Sequence, residues 1–99
     1  MNQYSQDIID KLKALEPVLR KDFGIKRLRV FGSVARGEAK PGSDVDLIVE
    51  FSRMPGWAFG TMHENIGQLI ETNVDLLTED ALNKHIKRHI LEEVIDVYH

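Results

Sequence analysis

The sequence predicts an α/β domain in which a small mixed sheet is covered by helices. Three observations lead there. Segments with helical spacing of apolar residues alternate with short runs in which apolar and polar residues alternate. The elements follow in the order helix, strand, turn, strand, helix, strand, helix. A helical segment joins the second and third strands, for which a right-handed parallel crossover is the expected connection. The chain has 99 residues, enough for one hydrophobic core, so residues 1–99 read as a single domain.

The first helix is marked by Ile8, Ile9, Leu12, Leu15, Leu19 and Phe23 between Ser5 and Phe23, with charged residues on the opposite face. Ser5 is the expected N-cap and Asp7 suits the first turn. Pro17 predicts a kink or two consecutive helices, and Gly24 ends them. Ile25 to Phe31 sets Ile25, Leu28 and Val30 against Lys26, Arg27 and Arg29, the pattern of a first strand. Gly32-Ser33 turns the chain into a short helical segment. Glu38 to Ser43, with Pro41-Gly42, is a loop.

Asp44 to Phe51 reads as the second strand. Val45, Leu47, Val49 and Phe51 fall on one face; Asp44, Asp46, Ile48 and Glu50 fall on the other. Pro55-Gly56 breaks it. From Trp57 to Glu71 the inward stripe is Ala58, Phe59, Met62, Ile66, Leu69 and Ile70, and Trp57 itself is expected to pack the helix on the sheet. Val74 to Leu77 is the third strand. Thr78 is positioned to cap a last helix, with Glu79 and Asp80 in its first turn and Ile86, Ile90, Leu91 and Val94 along it. Ile95 to Tyr98 alternates as a fourth, edge strand.

Composition narrows the function. Hydrophobic residues make up 42% and charged residues 29%, with a net charge of −3 and no cysteine. Disulfides and cysteine-based metal or redox sites are therefore excluded. The acidic balance gives no general footprint for direct nucleic-acid binding. No apolar run is long enough to span a bilayer and no signal-peptide pattern opens the chain, so no membrane contact and a cytoplasmic location are expected.

The chemistry lies in Gly32-Ser33 and in Asp44-Val45-Asp46. Two aspartates spaced by one residue share a strand face, roughly 6–7 Å apart at Cα, and can converge on one hard divalent cation or bridge two. A parallel neighbouring strand brings Asp75 beside them. Two-metal phosphoryl chemistry needs such a carboxylate cluster. Three aspartates in two short apolar strands also run against strand propensity. Glycine lets the backbone approach a ligand closely, and successive amides form an anion-binding concavity. Ser33 adds a hydroxyl, and Arg36 a cation for the triphosphate or acceptor side. Gly-Ser, ten residues, then Asp-x-Asp fixes four identities at set offsets, and a chance match is on the order of one in a thousand.

Other features have plainer readings. His85 and His89 lie four apart on a helix, but no third ligand is in view, and Lys84, Lys87 and Arg88 make a solvated helical face.

These residues resemble the DNA polymerase β-like nucleotidyltransferase superfamily. The fuller run from Phe31-Gly-Ser-Val-Ala-Arg-Gly37 to Ser43-Asp-Val-Asp-Leu47 looks like its minimal nucleotidyltransferase (MNT) antitoxins. The resemblance implies a polymerase β-like fold in which Gly32 and Ser33 hold the triphosphate of ATP. It implies two Mg²⁺ ions on Asp44 and Asp46, with Asp75 completing one site and helping to activate the nucleophile. It also implies a protein adenylyltransferase that moves AMP onto a tyrosine of a cognate HEPN-domain RNase toxin, as the antitoxin of a type VII toxin–antitoxin pair. Neutralisation by stoichiometric binding and transfer to a small-molecule hydroxyl are the alternatives, and a homo-oligomer is compatible with either. One argument is independent of the resemblance: 99 residues leave no separate acceptor-binding domain, so another chain should present the acceptor.

Overall fold

A computed structural model describes residues 1–78, 80–81 and 93–99. The chain forms α1 (Gln3–Ala14), α2 (Glu16–Asp22), β1 (Ile25–Phe31), α3 (Gly32–Ala35), β2 (Val45–Phe51), α4 (Phe59–Ile70), β3 (Val74–Thr78) and β4 (Ile95–Tyr98). The four strands lie in the order β3-β2-β1-β4. β1 pairs antiparallel with both β2 and β4, whereas β2 and β3 are parallel. The mixed sheet, its edge strand β4 and the parallel pair joined through α4 are as expected.

The helical start differs from the sequence reading. Asn2, not Ser5, is the N-cap: its Oδ1 accepts from the Ser5 N–H at 2.9 Å. Ser5 thus falls inside the first turn, where it is fully buried and its Oγ accepts from the Ala39 N–H at 3.0 Å. The expected break at Pro17 takes the form of two helices. Leu15 ends the first, and Pro17 sits in the opening turn of the second, where a missing N–H costs nothing.

The register explains the burial pattern of β1. Ile25 pairs with Phe51 and Arg27 with Glu50, so one extra residue, Lys26, is accommodated as a bulge. The bulge lets Ile25 share the buried face with Leu28 and Val30 despite an odd spacing. These residues join Val45, Leu47 and Val49 of β2 in one cluster with Ile8, Ile9 and Leu12 of α1, Leu19 of α2 and Met62, Ile66 and Ile70 of α4. Arg29, read from the sequence as part of a polar face, is buried, as is Ile48 opposite it.

Four residues expected to face inward in and just before α4 do not: Trp57 is fully exposed, and Ala58, Phe59 and Leu69 face solvent too. Gly56–Ala58 is a 3₁₀ turn, which advances side chains by about 120° per residue instead of 100°. The apolar stripe therefore holds phase only through Met62, Ile66 and Ile70. At the end of α4, a Cβ on Gly67 would come within 2.7 Å of the Thr72 carbonyl oxygen. The bare Cα permits that tight return, which carries the chain into β3.

Thr78 Oγ1 accepts from the Ala81 N–H at 3.1 Å, the expected capping contact. Val94, expected along the last helix, lies outside any helix just before β4. Glu79 and the other residues expected in that helix beyond Ala81, with Lys84, His85, Lys87, Arg88 and His89, lie outside the described residues. No helix among the described residues is long and apolar enough to cross a membrane.

Candidate active site

The strand register sets three of the expected residues side by side. Asp46, the second residue of β2, pairs with Asp75 of β3 in the parallel ladder and with Phe31 of β1 in the antiparallel one. Gly32 directly follows Phe31, so the glycine loop leaves the sheet beside the Asp46 carboxylate. A Cβ built on Gly32 would run into Asp46 Oδ2. Gly32 also has φ +70°, a conformation that residues with side chains rarely adopt. Two independent constraints thus require glycine there, one conformational and one from the carboxylate itself.

Asp44 immediately precedes β2 and lines the same groove as Asp75. Asp46 feels both. Its carboxyl titrates above the ordinary aspartate range, first because it is partly buried, then because Asp75 and Asp44 repel its charge; Arg36 opposes the shift. Such a trio is an electrostatic deficit that a divalent cation would fill. The donor set, hard carboxylate oxygens on an open edge, fits Mg²⁺ sharing its coordination with substrate phosphates. Among the described residues, no group of three side chains is drawn together tightly enough to cage a metal alone. The residues fit an ion that arrives with a phosphate ligand better than a permanently resident one.

Ser33 follows Gly32 within α3, and among the described residues its hydroxyl makes no hydrogen bond. Arg36 caps α3 and is exposed. Its Nη1 donates to Glu93 Oε2 at 3.1 Å and its Nε to Glu38 Oε2 at 3.4 Å. The Glu93 hydrogen bond leads the causes that raise the guanidinium's pKa above its usual value.

The loop between these two halves is stitched to the start of α1. Asn2 N–H donates to the Gly37 carbonyl at 2.8 Å, and Asn2 Nδ2 donates to the Ala39 carbonyl at 2.9 Å. With the Ser5–Ala39 bond, three contacts from the first turn fix the path from Arg36 toward Asp44. Sequence reasoning missed this brace, since nothing local couples residues some 35 positions apart.

It also missed the walls of the site. A groove of about 700 Å³ opens between α4 and β3, lined by Asp44, His63, Glu64, Glu71, Asn73 and Asp75 among others. A hollow of about 280 Å³ lies beside it and shares His63 and Asp75. His63, Gly67 and Glu71 recur at four-residue intervals next to the apolar stripe of α4, and that polar line was the available signal.

Comparison with known proteins places the chain in a family. Residues 12–97 match the family model described as a nucleotidyltransferase domain. The protein adenylyltransferase MntA of Thermococcus cleftensis is 38% identical over 93 residues, covering 93% of this chain and 94% of that protein. A solved structure provisionally named a minimal nucleotidyltransferase superposes with a TM-score of 0.66 at 33% identity, covering 88% of this chain and 93% of that one. A toxin–antitoxin crystal structure with AMP-PNP gives a TM-score of 0.70 at 17% identity, over 89% of this chain and 72% of that one, a likeness of fold alone.

Proposed function

Because the chain belongs to the nucleotidyltransferase domain family, and is a nucleotidyltransferase on that ground, we propose that it is a protein adenylyltransferase acting on a partner protein. The observation that carries this reading is the register of Asp46 with Asp75 beside Gly32, which puts a carboxylate pair next to a glycine-serine loop.

In this reading Gly32 and Ser33 hold the β- and γ-phosphates of ATP, and Arg36 leaves Glu93 to meet their charge. Asp44, Asp46 and Asp75 hold Mg²⁺, which when bound supplies charge neutralisation at the reacting phosphate. The acceptor oxygen attacks the α-phosphorus, the bond to the bridging oxygen of the β-phosphate breaks, and pyrophosphate leaves with that electron pair. The hydroxyl proton passes to Asp75. Positioning contributes most of the rest, since effective molarities of well-oriented groups are large.

The acceptor of this proposal is a tyrosine on a cognate HEPN-domain toxin, with the chain as its cytoplasmic antitoxin. The naming of its relatives as protein adenylyltransferases supports a protein acceptor. Incubation with labelled ATP, Mg²⁺ and the protein encoded beside it should label that protein. Labelling that survives Asp44→Asn combined with Asp46→Asn would sink the mechanism. Neutralisation by that double variant without labelling would point to stoichiometric binding instead.

A further inference from the structure

We propose that the groove between α4 and β3 is the acceptor subsite, and that it selects a hydroxyl carried on a cationic stretch of polypeptide. This rests on the nucleotidyl-transfer reading and adds where the acceptor enters and what flanks it.

The first argument is positional. Across this edge of the sheet the order is Gly32 on the β1 side, Asp46 in the middle, Asp75 on β3, and the groove beyond Asp75. In-line displacement puts the attacking and leaving oxygens on opposite sides of phosphorus. Pyrophosphate leaves toward the Gly32-Ser33 side, so the attacking oxygen enters from the β3 side. That is where the groove lies, with Asp75 at its inner end.

The second argument is size. The groove and its neighbouring hollow, about 700 and 280 Å³, lie in the range that encloses ligands of several functional groups. Together they accommodate a short peptide segment more readily than a bare hydroxyl.

The third argument is charge. Asp44, Glu64, Glu71 and Asp75 line the groove, and among the described residues no lysine or arginine does. Lys11 is not among the lining residues, although its Nζ lies 3.8 Å from Glu71 Oε2. A polynucleotide would bring phosphates against this wall and be repelled, whereas lysine or arginine beside the acceptor hydroxyl would be drawn in. Glu64 and Glu71 are exposed, so they act as rim charges that set partner preference and encounter rate.

Three acceptors separate the possibilities: a tyrosine peptide flanked by lysines, the same peptide flanked by glutamates, and an oligonucleotide with a free 3′-hydroxyl. Each is assayed for transfer from labelled ATP and, separately, for binding by fluorescence anisotropy. The lysine peptide should bind about tenfold more tightly than the glutamate peptide at low salt, with the gap shrinking at about 0.5 M salt. Glu64→Lys, a change on an exposed helical surface, should narrow that gap several-fold while leaving the KM for ATP unchanged. Equal binding of the two peptides, a gap unaffected by Glu64→Lys, or preference for the oligonucleotide would overturn the proposal. Preserved binding order without transfer to any acceptor would support the groove and count against the transfer reading alone.

Discussion

The two loops flanking β2 are built on opposite plans. The loop that enters β2, from Gly32 to Asp44, is held from two sides, by the start of α1 through Asn2 and Ser5 and by the segment before β4 through Arg36–Glu93. Among the described residues, the loop that leaves β2 is tied only at its stem. There, Ser52 N–H and Oγ donate to the Gly24 carbonyl at 2.8 and 3.1 Å, and Arg53 Nη2 donates to the Lys21 carbonyl at 2.7 Å. Beyond that stem, Met54 and Trp57 stand in solvent, 88% and 101% exposed. The contrast shows where geometry matters. The proposed chemistry, which depends on close placement, falls on the stitched loop, and large apolar surface is left on the free one.

The sharpest way to break this contrast is Gly32→Ala. The new methyl meets Asp46 Oδ2, and φ is +70°, so either the loop or the carboxylate must move. A displacement of about 1 Å at the reacting centre costs roughly 100-fold in rate, and the backbone strain costs about 1 kcal/mol or more of stability. Nucleotidyl transfer should fall by at least that factor, while circular dichroism and thermal melting show a folded protein of moderately lower Tm. Unimpaired transfer would mean that the glycine and Asp46 do not work as a unit.

A finer cut separates the brace from the helix cap, because Asn2 does both. Asn2→Ala removes the N-cap, worth about 1 kcal/mol, together with the bond to Ala39. Asn2→Asp keeps an oxygen for the Ser5 N–H but sets a carboxylate against the Ala39 carbonyl, where an amide donated. Its Tm should stay close to that of the parent protein, while the KM for ATP rises several-fold. Equal KM values for Asn2→Asp and the parent protein would reduce the brace to a purely structural feature.

Asp46 tests the electrostatic side of the stitched region. A carboxyl whose folded pKa is raised contributes stability that is fully present below the ordinary aspartate range and is lost as pH rises through its own higher value. At neutral pH the ionised Asp46, beside Asp75 and Asp44, is therefore a small cost to the metal-free protein. Asp46→Asn should abolish transfer yet raise Tm by about 1–3 °C, a shift of a few tenths of a kcal/mol in a domain this small. That gain should fade as the pH is lowered below the aspartate range. Mg²⁺ should stabilise the parent protein more than the variant. A lower Tm for Asp46→Asn at neutral pH would show that its charge is already compensated.

How much of this was legible in the sequence follows from how local each signal is. The pairing of Asp46 with Asp75 could be read because strand alternation and a parallel crossover both have fixed geometry. The same holds for β4 and for the two helices around Pro17. The Asn2–Ser5–Ala39 brace could not, since a hydrogen bond between a helix cap and a distant loop leaves no periodic trace. Ser5 was mistaken for the cap because serine suits both roles, and only the position of Asn2 decides. Trp57 was read as buried because hydrophobicity sets an expectation of burial, whereas the 3₁₀ turn at Gly56–Ala58 sets the phase. His63 was overlooked because one exposed histidine on a helix carries no pattern until the strand bearing Asp75 is placed beside it.

The smallest effect is expected at the free loop, and its smallness is informative. Among the described residues Trp57 makes no ring contact, while nearby Phe59 packs edge-on against Phe51 with centroids 6.0 Å apart. The loop thus holds its base through Phe59 and offers Trp57 to solvent. Trp57→Ala should leave Tm and nucleotidyl transfer to a short peptide within experimental error, since exposed substitutions away from such contacts are usually within about 0.5 kcal/mol. Phe59→Ala should lower Tm measurably, because it removes the edge-to-face pair and the apolar wall it gives the neighbouring hollow. A marked loss of stability in Trp57→Ala would mean that the free loop is held by contacts at its tip, and the division between the two loops would fail. With both outcomes as expected, the only tryptophan in the chain becomes a fluorescence probe of the end of the sheet opposite the carboxylates, insensitive to events at Asp46.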